Sequence, residues 1–246
     1  MRMAMIDALP FRLLALAGIV GTASAILFHY VVFGPHRIHA DAHTRQARVR
    51  RFSVLERLVH AATLLSFVTL GVTGMAAAVV YGSRITGWLW VVHAFAAPVF
   101  ALGVTCVIAA WATDARFSTH DWQWAKYCGG YLGFGKEKQL PAGRFNAGQK
   151  AFLWFTAVFV LAALLSGLGR MFPVLGPFGN DVLYQVHRYS TLALVMAVMV
   201  HAYLGTFANP GTIRAAILGD VSEAWAERHH PVWWADLNKG RGDQSI

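Results

Sequence analysis

Residues 182–207 read VLYQVHRYSTLALVMAVMVHAYLGTF, and this stretch decides the fold through His187 and His201. The two histidines are separated by nearly four turns of an α-helix, so both imidazoles leave the same helix face. At about 1.5 Å per residue they lie roughly 21 Å apart, and a bilayer core is about 30 Å thick. The stretch therefore predicts a membrane helix that carries one imidazole towards each side of the bilayer.

The composition is that of a membrane protein. The chain has 246 residues, of which 57% are hydrophobic and 13% are charged, whereas soluble domains carry about 25% charged residues. Long apolar runs, each sufficient to cross a bilayer as a helix, cover residues 13–33, 55–80, 88–111, 152–172 and 183–207. We expect an all-α membrane protein in which one extra N-terminal transmembrane helix precedes a four-helix bundle.

The positive charges are distributed unevenly along the chain. Lys and Arg cluster in 34–53, in 112–150 and in the tail from residue 208, whereas the opposite loops carry Arg2, Arg12, Arg84 and Arg170. By the positive-inside rule, this pattern places the N-terminus outside and the C-terminus in the cytoplasm. Topology and anionic headgroups explain the net charge of +9 better than nucleic-acid binding does.

The first apolar run has an alternative interpretation. Arg2, the apolar core 13–20 and the small residues Ala23, Ser24 and Ala25 resemble a signal peptide with its cleavage site. Cleavage there would place the basic segment 34–53 outside, against the charge rule. We therefore expect a retained transmembrane helix.

Two further histidines, His60 and His93, stand alone in the second and third apolar runs. The predicted topology puts His60 and His201 near the inner face, and His93 and His187 near the outer face. Imidazole is an axial ligand of haem iron. The matched depths predict two bis-histidine haems b, although histidines in membrane helices also serve as packing residues or proton relays.

Arginines and glycines near these histidines are candidate contacts of the haems. Arg57 lies one turn before His60, and Arg188 adjoins His187; each could pair with a haem propionate or reach the lipid headgroups. Small residues permit close approach of a helix or of a flat macrocycle; they are Gly71, Gly74, Gly167 and Gly169.

The remaining histidines and the cysteines suggest no further site. Cys106 and Cys128 do not form a CxxC or CxxCH pattern, which argues against covalent c-type haem and iron–sulfur clusters. His29 has no evident partner. The other histidines fall in predicted cytoplasmic segments and are expected to be solvated; they are His36, His39, His43, His120, His229 and His230.

Two motifs resemble a known family. Residues 144–150, RFNAGQK, and residues 223–233, EAWAERHHPVW, are similar to two signatures of the cytochrome b (gamma) subunit of respiratory formate dehydrogenases. The resemblance covers roughly residues 48–236. It implies three segments: an extra helix with a basic loop in 1–47, a di-haem cytochrome b bundle in 48–236, and a polar tail in 237–246.

The resemblance also implies function. Such a subunit accepts electrons from an iron–sulfur (beta) subunit on the outer side and passes them through two haems b to a quinone, menaquinone or ubiquinone, on the cytoplasmic side. Positions matching Asn146 and Gly148, with His201, form the quinone pocket, although Asn146 could instead be a helix N-cap. A molybdenum or tungsten (alpha) subunit oxidises formate, so this chain supplies no catalytic residue. The assembly is a trimer of heterotrimers in the bacterial inner membrane.

The sequence leaves three questions open. Shorter members of the family begin near residue 48, so the extra helix could fill the site of the iron–sulfur subunit's anchor helix. Cytochromes b of hydrogenases and of thiosulfate or polysulfide reductases are also four-helix di-haem bundles, although the signature at 144–150 argues against them. A haem-free anchor or transporter with a histidine proton relay is the alternative from another class.

Overall fold

The computed structural model describes residues 2–35, 47–134, 138–172 and 175–242, with side chains from residue 9 to residue 239. His36, His39 and His43 lie outside the described residues, as does the end of the tail, 243–246.

Five long helices dominate the described chain. They are α1 (Arg2–Phe33), α2 (Val54–Met75), α3 (Gly87–Trp111), α5 (Ala147–Met171) and α6 (Gly176–Gly205). α2 continues into a π-helical turn, Ala76–Val80. The shorter elements are β1 (Arg48–Arg50), α4 (Thr119–Lys126), a 3₁₀ turn (Cys128–Gly130), α7 (Thr212–Leu218), β2 (Asp220–Ser222), α8 (Glu223–His229) and α9 (Pro231–Gly242).

Four of the described helices are long and apolar enough to cross a membrane: Leu9–Phe33, Val54–Val80, Gly87–Trp111 and Ala147–Met171. The fifth predicted span, 183–207, falls in α6, which has 30 residues and ample length. The first half of α6 also carries the polar residues Asp181, His187 and Arg188. The prediction of an all-α, multi-pass membrane protein with an additional N-terminal helix is confirmed.

Reciprocal side-chain caps start two of the long helices. Ser53 N–H donates to Glu56 Oε2 at 2.7 Å, and Glu56 N–H donates to Ser53 Oγ at 3.2 Å, before α2. Asn146 and Gln149 exchange the same two bonds before α5, at 3.1 and 2.9 Å. Each pair satisfies two backbone donors that a helix start leaves open, and this fixes where the two helices begin.

Hydroxyl groups within the long helices bond to their own backbone. Ser66 and Ser166 donate to the carbonyl oxygens four residues earlier at 2.8 and 2.6 Å, and Thr63, Thr73 and Thr105 do the same. A hydroxyl without a partner is costly where no water is available. These bonds let small polar residues occupy the apolar runs.

The chain divides into two compact units. The first comprises residues 1–25, 58–108 and 155–200. One cluster in its core is formed by Phe100, Val104, Val160 and Leu194. In a second cluster, Phe11 and Ala15 of α1 pack against Leu192 of α6. The N-terminal part of α1 therefore belongs to the packed core of this unit.

The second unit comprises residues 26–57, 109–154 and 201–246. β1 pairs antiparallel with β2, so that Val49 lies opposite Val221. Val221, Trp225 and Ala226 form its buried cluster with Ala215. Residues 237–242, predicted as the start of a polar tail, continue helix α9. The predicted three-segment division of the chain stays a prediction.

Candidate functional site

His93 of α3 and His187 of α6 lie side by side in the first unit. Their ring centres are 6.2 Å apart, and the ring planes are inclined at 63°. Sequence reasoning paired them by depth alone, and the structure brings these two together.

The Nδ1 atom of each imidazole is held by a hydrogen bond. His187 Nδ1–H donates to the carbonyl oxygen of Ala163 at 2.8 Å. His93 Nδ1 lies 2.8 Å from Thr73 Oγ1, and that hydroxyl already gives its proton to Thr69 O at 2.7 Å. Thr73 Oγ1 must then accept from His93 Nδ1–H. Both rings are therefore Nδ1–H tautomers whose Nε2 lone pair is available for a metal.

The distance between the rings matches two imidazoles on one metal ion. A metal–imidazole bond is about 2 Å long and the ring centre lies roughly 1 Å beyond the nitrogen, so two opposed ligands have centres about 6 Å apart. The observed 6.2 Å agrees.

Two of the predicted glycines face these rings. A Cβ atom on Gly74 would lie 3.5 Å from His93 Cε1, and one on Gly167 would lie 3.3 Å from His187 Cε1. A side chain at position 167 would therefore press on the imidazole of His187, whereas a Cβ atom at position 74 would make an ordinary contact with His93. Gly169 instead faces Leu183, and a Cβ atom on Gly71 would meet no atom within 4 Å.

A small cleft of about 70 Å³ opens beside the two histidines. Its walls include Phe11, Gly74, Tyr184 and Arg188 together with both imidazoles. This volume is below the range of about 300–1,000 Å³ that is usual for ligand sites, so a haem would fill much more than this cleft. Arg188 is 8% exposed, and its guanidinium carbon lies 4.6 Å from the ring centre of Phe11. A buried cation thus lines a mostly apolar cleft.

The other predicted histidine pair is divided between the two units. His60 belongs to the first unit and His201 to the second, so their pairing stays a prediction. His201 stacks on Phe152, with ring centres 4.2 Å apart and planes inclined by 6°. Stacking covers the face of the imidazole, whereas a metal binds at its edge, so the two contacts are compatible. Arg57 donates to the carbonyl oxygens of Ile217 and Ser53.

Asn146 and Gly148 lie where α5 begins. The reciprocal bonds with Gln149 make Asn146 the N-cap of α5. Gly148 lies against the indole of Trp124, where an added Cβ atom would approach to 2.8 Å. Both residues therefore have structural roles, and their predicted part in a quinone pocket stays a prediction.

The family model described as prokaryotic cytochrome b561 matches residues 51–219. The chain belongs to the prokaryotic cytochrome b561 family. A second model, formate dehydrogenase N, transmembrane, matches residues 10–43.

Curated relatives carry related names. The formate dehydrogenase cytochrome b556(fdo) subunit of Escherichia coli K12 is 28% identical over 211 residues, which cover 79% of this chain and 96% of the relative. The nitrate-inducible cytochrome b556(Fdn) subunit of the same organism is 27% identical over 61% of this chain and 76% of its own length. A cytochrome b556 subunit of Haemophilus influenzae is 25% identical over 48% and 50%. The resemblance inferred from the motifs is confirmed.

Membership of a cytochrome b561 family implies haem b. The residues of the first unit fit such a group, because the two imidazoles have the ring-centre spacing of a bis-histidine site and each Nδ1 is engaged in a hydrogen bond, which leaves Nε2 for the iron. Thr73 and Ala163, which fix the tautomers, were missed by sequence reasoning. One signal was available, since a histidine that binds a metal usually donates its other nitrogen to an acceptor.

His29 was expected to lack a partner, and this was wrong. His29 Nε2 lies 2.9 Å from the carbonyl oxygen of Tyr131, so this nitrogen must carry the proton. Nδ1 therefore accepts from the hydroxyl of Tyr203, at 2.6 Å. Both nitrogens are used in these bonds.

His230 was expected to be solvated, and this was also wrong. It is 1% exposed, donates from Nδ1 to Gly143 O at 2.7 Å, and accepts from Arg51 Nη2 at 3.1 Å. Burial, and then the charge of Arg51, lower the pKa of His230 well below its ordinary value, so it is neutral at pH 7. Burial and the nearby Arg144 lower the pKa of Arg51 to about 9.

Proposed function

We propose that this chain is the cytochrome b subunit of a membrane-bound formate dehydrogenase. The support is the set of relatives with that name, together with the RFNAGQK and HHPVW motifs. Its part in the oxidoreductase complex is electron transfer and quinone reduction. Formate would be oxidised in a molybdenum or tungsten (alpha) subunit, and an iron–sulfur (beta) subunit would deliver the electrons.

The observation that carries the proposal is the His93–His187 pair. Haem b bound between two imidazoles supplies reversible one-electron transfer. The chain's own residues supply the rest: Thr73 and Ala163 orient the rings, Gly74 and Gly167 leave room beside them, and Arg188 puts a cation at the cleft. These contacts support assignment of the outer haem to His93 and His187.

A second haem b and a quinone complete the proposal. His60 and His201 would hold the inner haem, with Arg57 beside them. Asn146 and Gly148 would bind menaquinone or ubiquinone next to His201. The family signature at 144–150 supports this assignment, and so does the matching of helix depths. Asn146 Oδ1 accepts from Gln149 N–H, so its second lone pair and its NH₂ donors are the groups that would bind the quinone.

The distribution of Lys and Arg supports an orientation. The N-terminus would lie outside and the C-terminus in the cytoplasm of a bacterial inner membrane. Electrons would be delivered from the outside, and quinone would take protons from the cytoplasm, which would build a membrane potential. The subunit would assemble with its partners as a trimer of heterotrimers.

The additional helix α1 would be retained in the mature chain. Phe11 and Ala15 are 1% and 0% exposed and pack against Leu192, which supports a fixed place in the bundle. The match of residues 10–43 to formate dehydrogenase N, transmembrane supports the idea that α1 fills a site used elsewhere by a partner's anchor helix. Intact mass of the mature chain tests this, because a start near Ile26 would show that the helix had been cleaved.

Purification of the complex from membranes tests the function as a whole. We expect the chain to co-purify with a formate-oxidising subunit and to contain about two protohaems in a pyridine haemochrome assay. Formate should reduce both haems, and added quinone should reoxidise them. A chain without haem would refute the cytochrome proposal, and co-purification with a hydrogenase or a sulfur-compound reductase would assign it to another complex.

A further inference from the structure

Three arginines converge on the ring of Tyr184 in the first unit. The guanidinium carbon lies 4.5 Å from the ring centre for Arg170, 5.0 Å for Arg188 and 5.4 Å for Arg84. A cation over an aromatic face is attracted by the ring quadrupole. Tyr184 is neutral, however, and the ring leaves the mutual repulsion of three cations uncompensated.

The first unit is short of anions. Its sequence contains five arginines and two aspartates, Asp7 and Asp181, and no lysine or glutamate. Asp181 Oδ1 lies 3.0 Å from Arg84 Nη2, but both side chains are more than half exposed, so the pair contributes little.

Arg170 has an unsatisfied donor in this cluster. Its Nη1 atom is buried and has no hydrogen-bond partner in the part of the chain that the structure describes. A buried charged donor is costly without an acceptor. The position of Nη1 therefore suggests that an additional acceptor binds there.

Arg188 and the ring of Tyr184 connect the arginine cluster to the cleft of the candidate haem site. Tyr184 precedes His187 by three residues on α6, so the two side chains share a helix face. Tyr184 and Arg188 line the cleft with His93 and His187. A ligand held by the two imidazoles would thus have its edge near the cluster.

We propose that Arg84, Arg170 and Arg188 bind the two carboxylates of the haem that His93 and His187 hold. This inference rests on the proposed function. The charges balance, because three guanidiniums face two propionates and Asp181. A guanidinium can bind a carboxylate through two parallel hydrogen bonds, and the buried Nη1 of Arg170 gains an acceptor. Arg84 and Arg170 become binding residues in addition to Arg188.

Haem with esterified propionates is the direct test. The full chain is produced in haem-deficient cells, solubilised, and titrated with protohaem or with its dimethyl ester, followed by the low-spin absorption bands. The ester keeps the iron and the ring but loses both charges. We expect it to bind the outer site about tenfold to a hundredfold more weakly, because hydrogen bonds between charged groups are lost.

Arginine variants show whether the arginine cluster causes the preference for protohaem over its ester. In Arg170→Gln the preference for protohaem over the ester should fall by about tenfold, whereas Arg170→Lys should keep part of it. Arg116→Gln, which removes an exposed arginine of the second unit, should keep all of it. The wild-type comparison of the two haems needs no substitution and therefore decides the question even if a variant fails to fold.

The haem reduction potential is a second readout. Loss of a positive charge beside the haem stabilises its oxidised form, so Arg170→Gln should lower the midpoint potential of one of the two components. The other component should be unchanged, and Arg170→Lys should restore the first.

The outcomes separate this inference from the proposed function. A chain that binds no haem would refute the cytochrome function itself. Equal affinity for protohaem and ester at the outer site, with two haems bound, would refute only the arginine assignment. Loss of bound anionic phospholipid in Arg170→Gln, with the preference for protohaem unchanged, would show that a lipid phosphate occupies the cluster and would also overturn the proposal.

Discussion

The outer and inner histidine pairs differ in how the fold positions them. His93 and His187 belong to one compact unit, and each Nδ1 has a hydrogen-bond partner from a neighbouring residue. His60 and His201 belong to different units, and the ring of His201 stacks on that of Phe152.

We infer from this difference how a membrane bundle would prepare histidines to act as ligands. Depth along the helices can select the pair, but a hydrogen bond at Nδ1 selects the nitrogen that faces the metal. The outer pair is preorganised in this sense.

Removal of one axial ligand should have the largest effect, because each haem needs both axial nitrogens. His93→Ala and His187→Ala should each reduce the haem content from about two to about one per chain, with loss of the same spectral component. His60→Ala and His201→Ala should remove the other component. The measurement is a pyridine haemochrome assay together with reduced-minus-oxidised spectra.

His120→Ala is the matched control, because His120 contacts the Ser118 hydroxyl at 2.9 Å in a short helix outside the long spans. It should retain both haems. If His93→Ala and His60→Ala removed the same component, the pairing by depth would be wrong.

The second unit can be tested through its buried ion pair. Lys150 Nζ lies 2.7 Å from Asp121 Oδ2, and the two side chains are 4% and 5% exposed. Lys150→Met leaves a buried carboxylate without its cation and should lower the free energy of unfolding by about 3–5 kcal/mol. Asp121→Leu combined with Lys150→Met should recover most of the loss, measured by denaturation in detergent.

The pH dependence of that stability has a definite sign. Burial alone would raise the pKa of Asp121, but hydrogen bonds from Lys150 and Ser118 outweigh it and lower the pKa below the ordinary value. The stabilisation is therefore present above the unfolded-state pKa and is lost as the pH falls through the folded-state pKa. Unfolding of the Lys150→Met variant with the same acid dependence as the wild type would contradict this.

Thr73→Val tests whether the hydrogen bond at His93 Nδ1 helps the outer pair to hold its haem. Valine keeps the shape but removes the acceptor for His93 Nδ1–H, and loss of such a contact typically weakens metal binding by about tenfold to a hundredfold. Retention of the outer haem during dilution or chelation measures the effect. Thr69→Val is the control, since its hydroxyl bonds to Leu65 O and its carbonyl is unchanged; equal losses in both variants would exclude a special role for Thr73.

The smallest expected effect concerns quinone on the inner side. Asn146→Ser retains an N-cap oxygen but removes the amide, so quinone binding should weaken by up to about tenfold while helix stability is kept. Gln149→Ala should lower the stability of the helix but keep quinone binding, because it disturbs the cap and leaves the amide of Asn146 in place. Quinone turnover is measured against formate-driven haem reduction, and normal turnover in Asn146→Ser would remove the amide from the site.

Much of the fold could be predicted because membrane helices are encoded locally. The apolar runs, the Lys and Arg bias and the spacing of His187 and His201 each depend on short stretches of chain. The first half of α6 is less apolar than the other runs. Its residues Asp181 and Arg188 contact other side chains of the first unit and do not form an apolar surface.

The site's supporting contacts could not be predicted in the same way. Ala163 contributes a backbone carbonyl, which no side-chain pattern reveals. His230 looked solvated because its neighbours in sequence are polar, but Gly143 and Arg51, distant in sequence, enclose it. Non-local packing decided both cases.

The carboxylate of Glu56 has a consequence for biosynthesis. It accepts from Ser53 N–H at the start of α2, from Trp111 Nε1 at the end of α3, and from Arg144 before α5. A nascent chain must carry this acid near the membrane surface until its arginine partner leaves the ribosome, well after α2 has been made. The ion pair of Glu56 can therefore form only when synthesis has passed residue 144, and β1 must wait longer still, until its partner strand Asp220–Ser222 has been made.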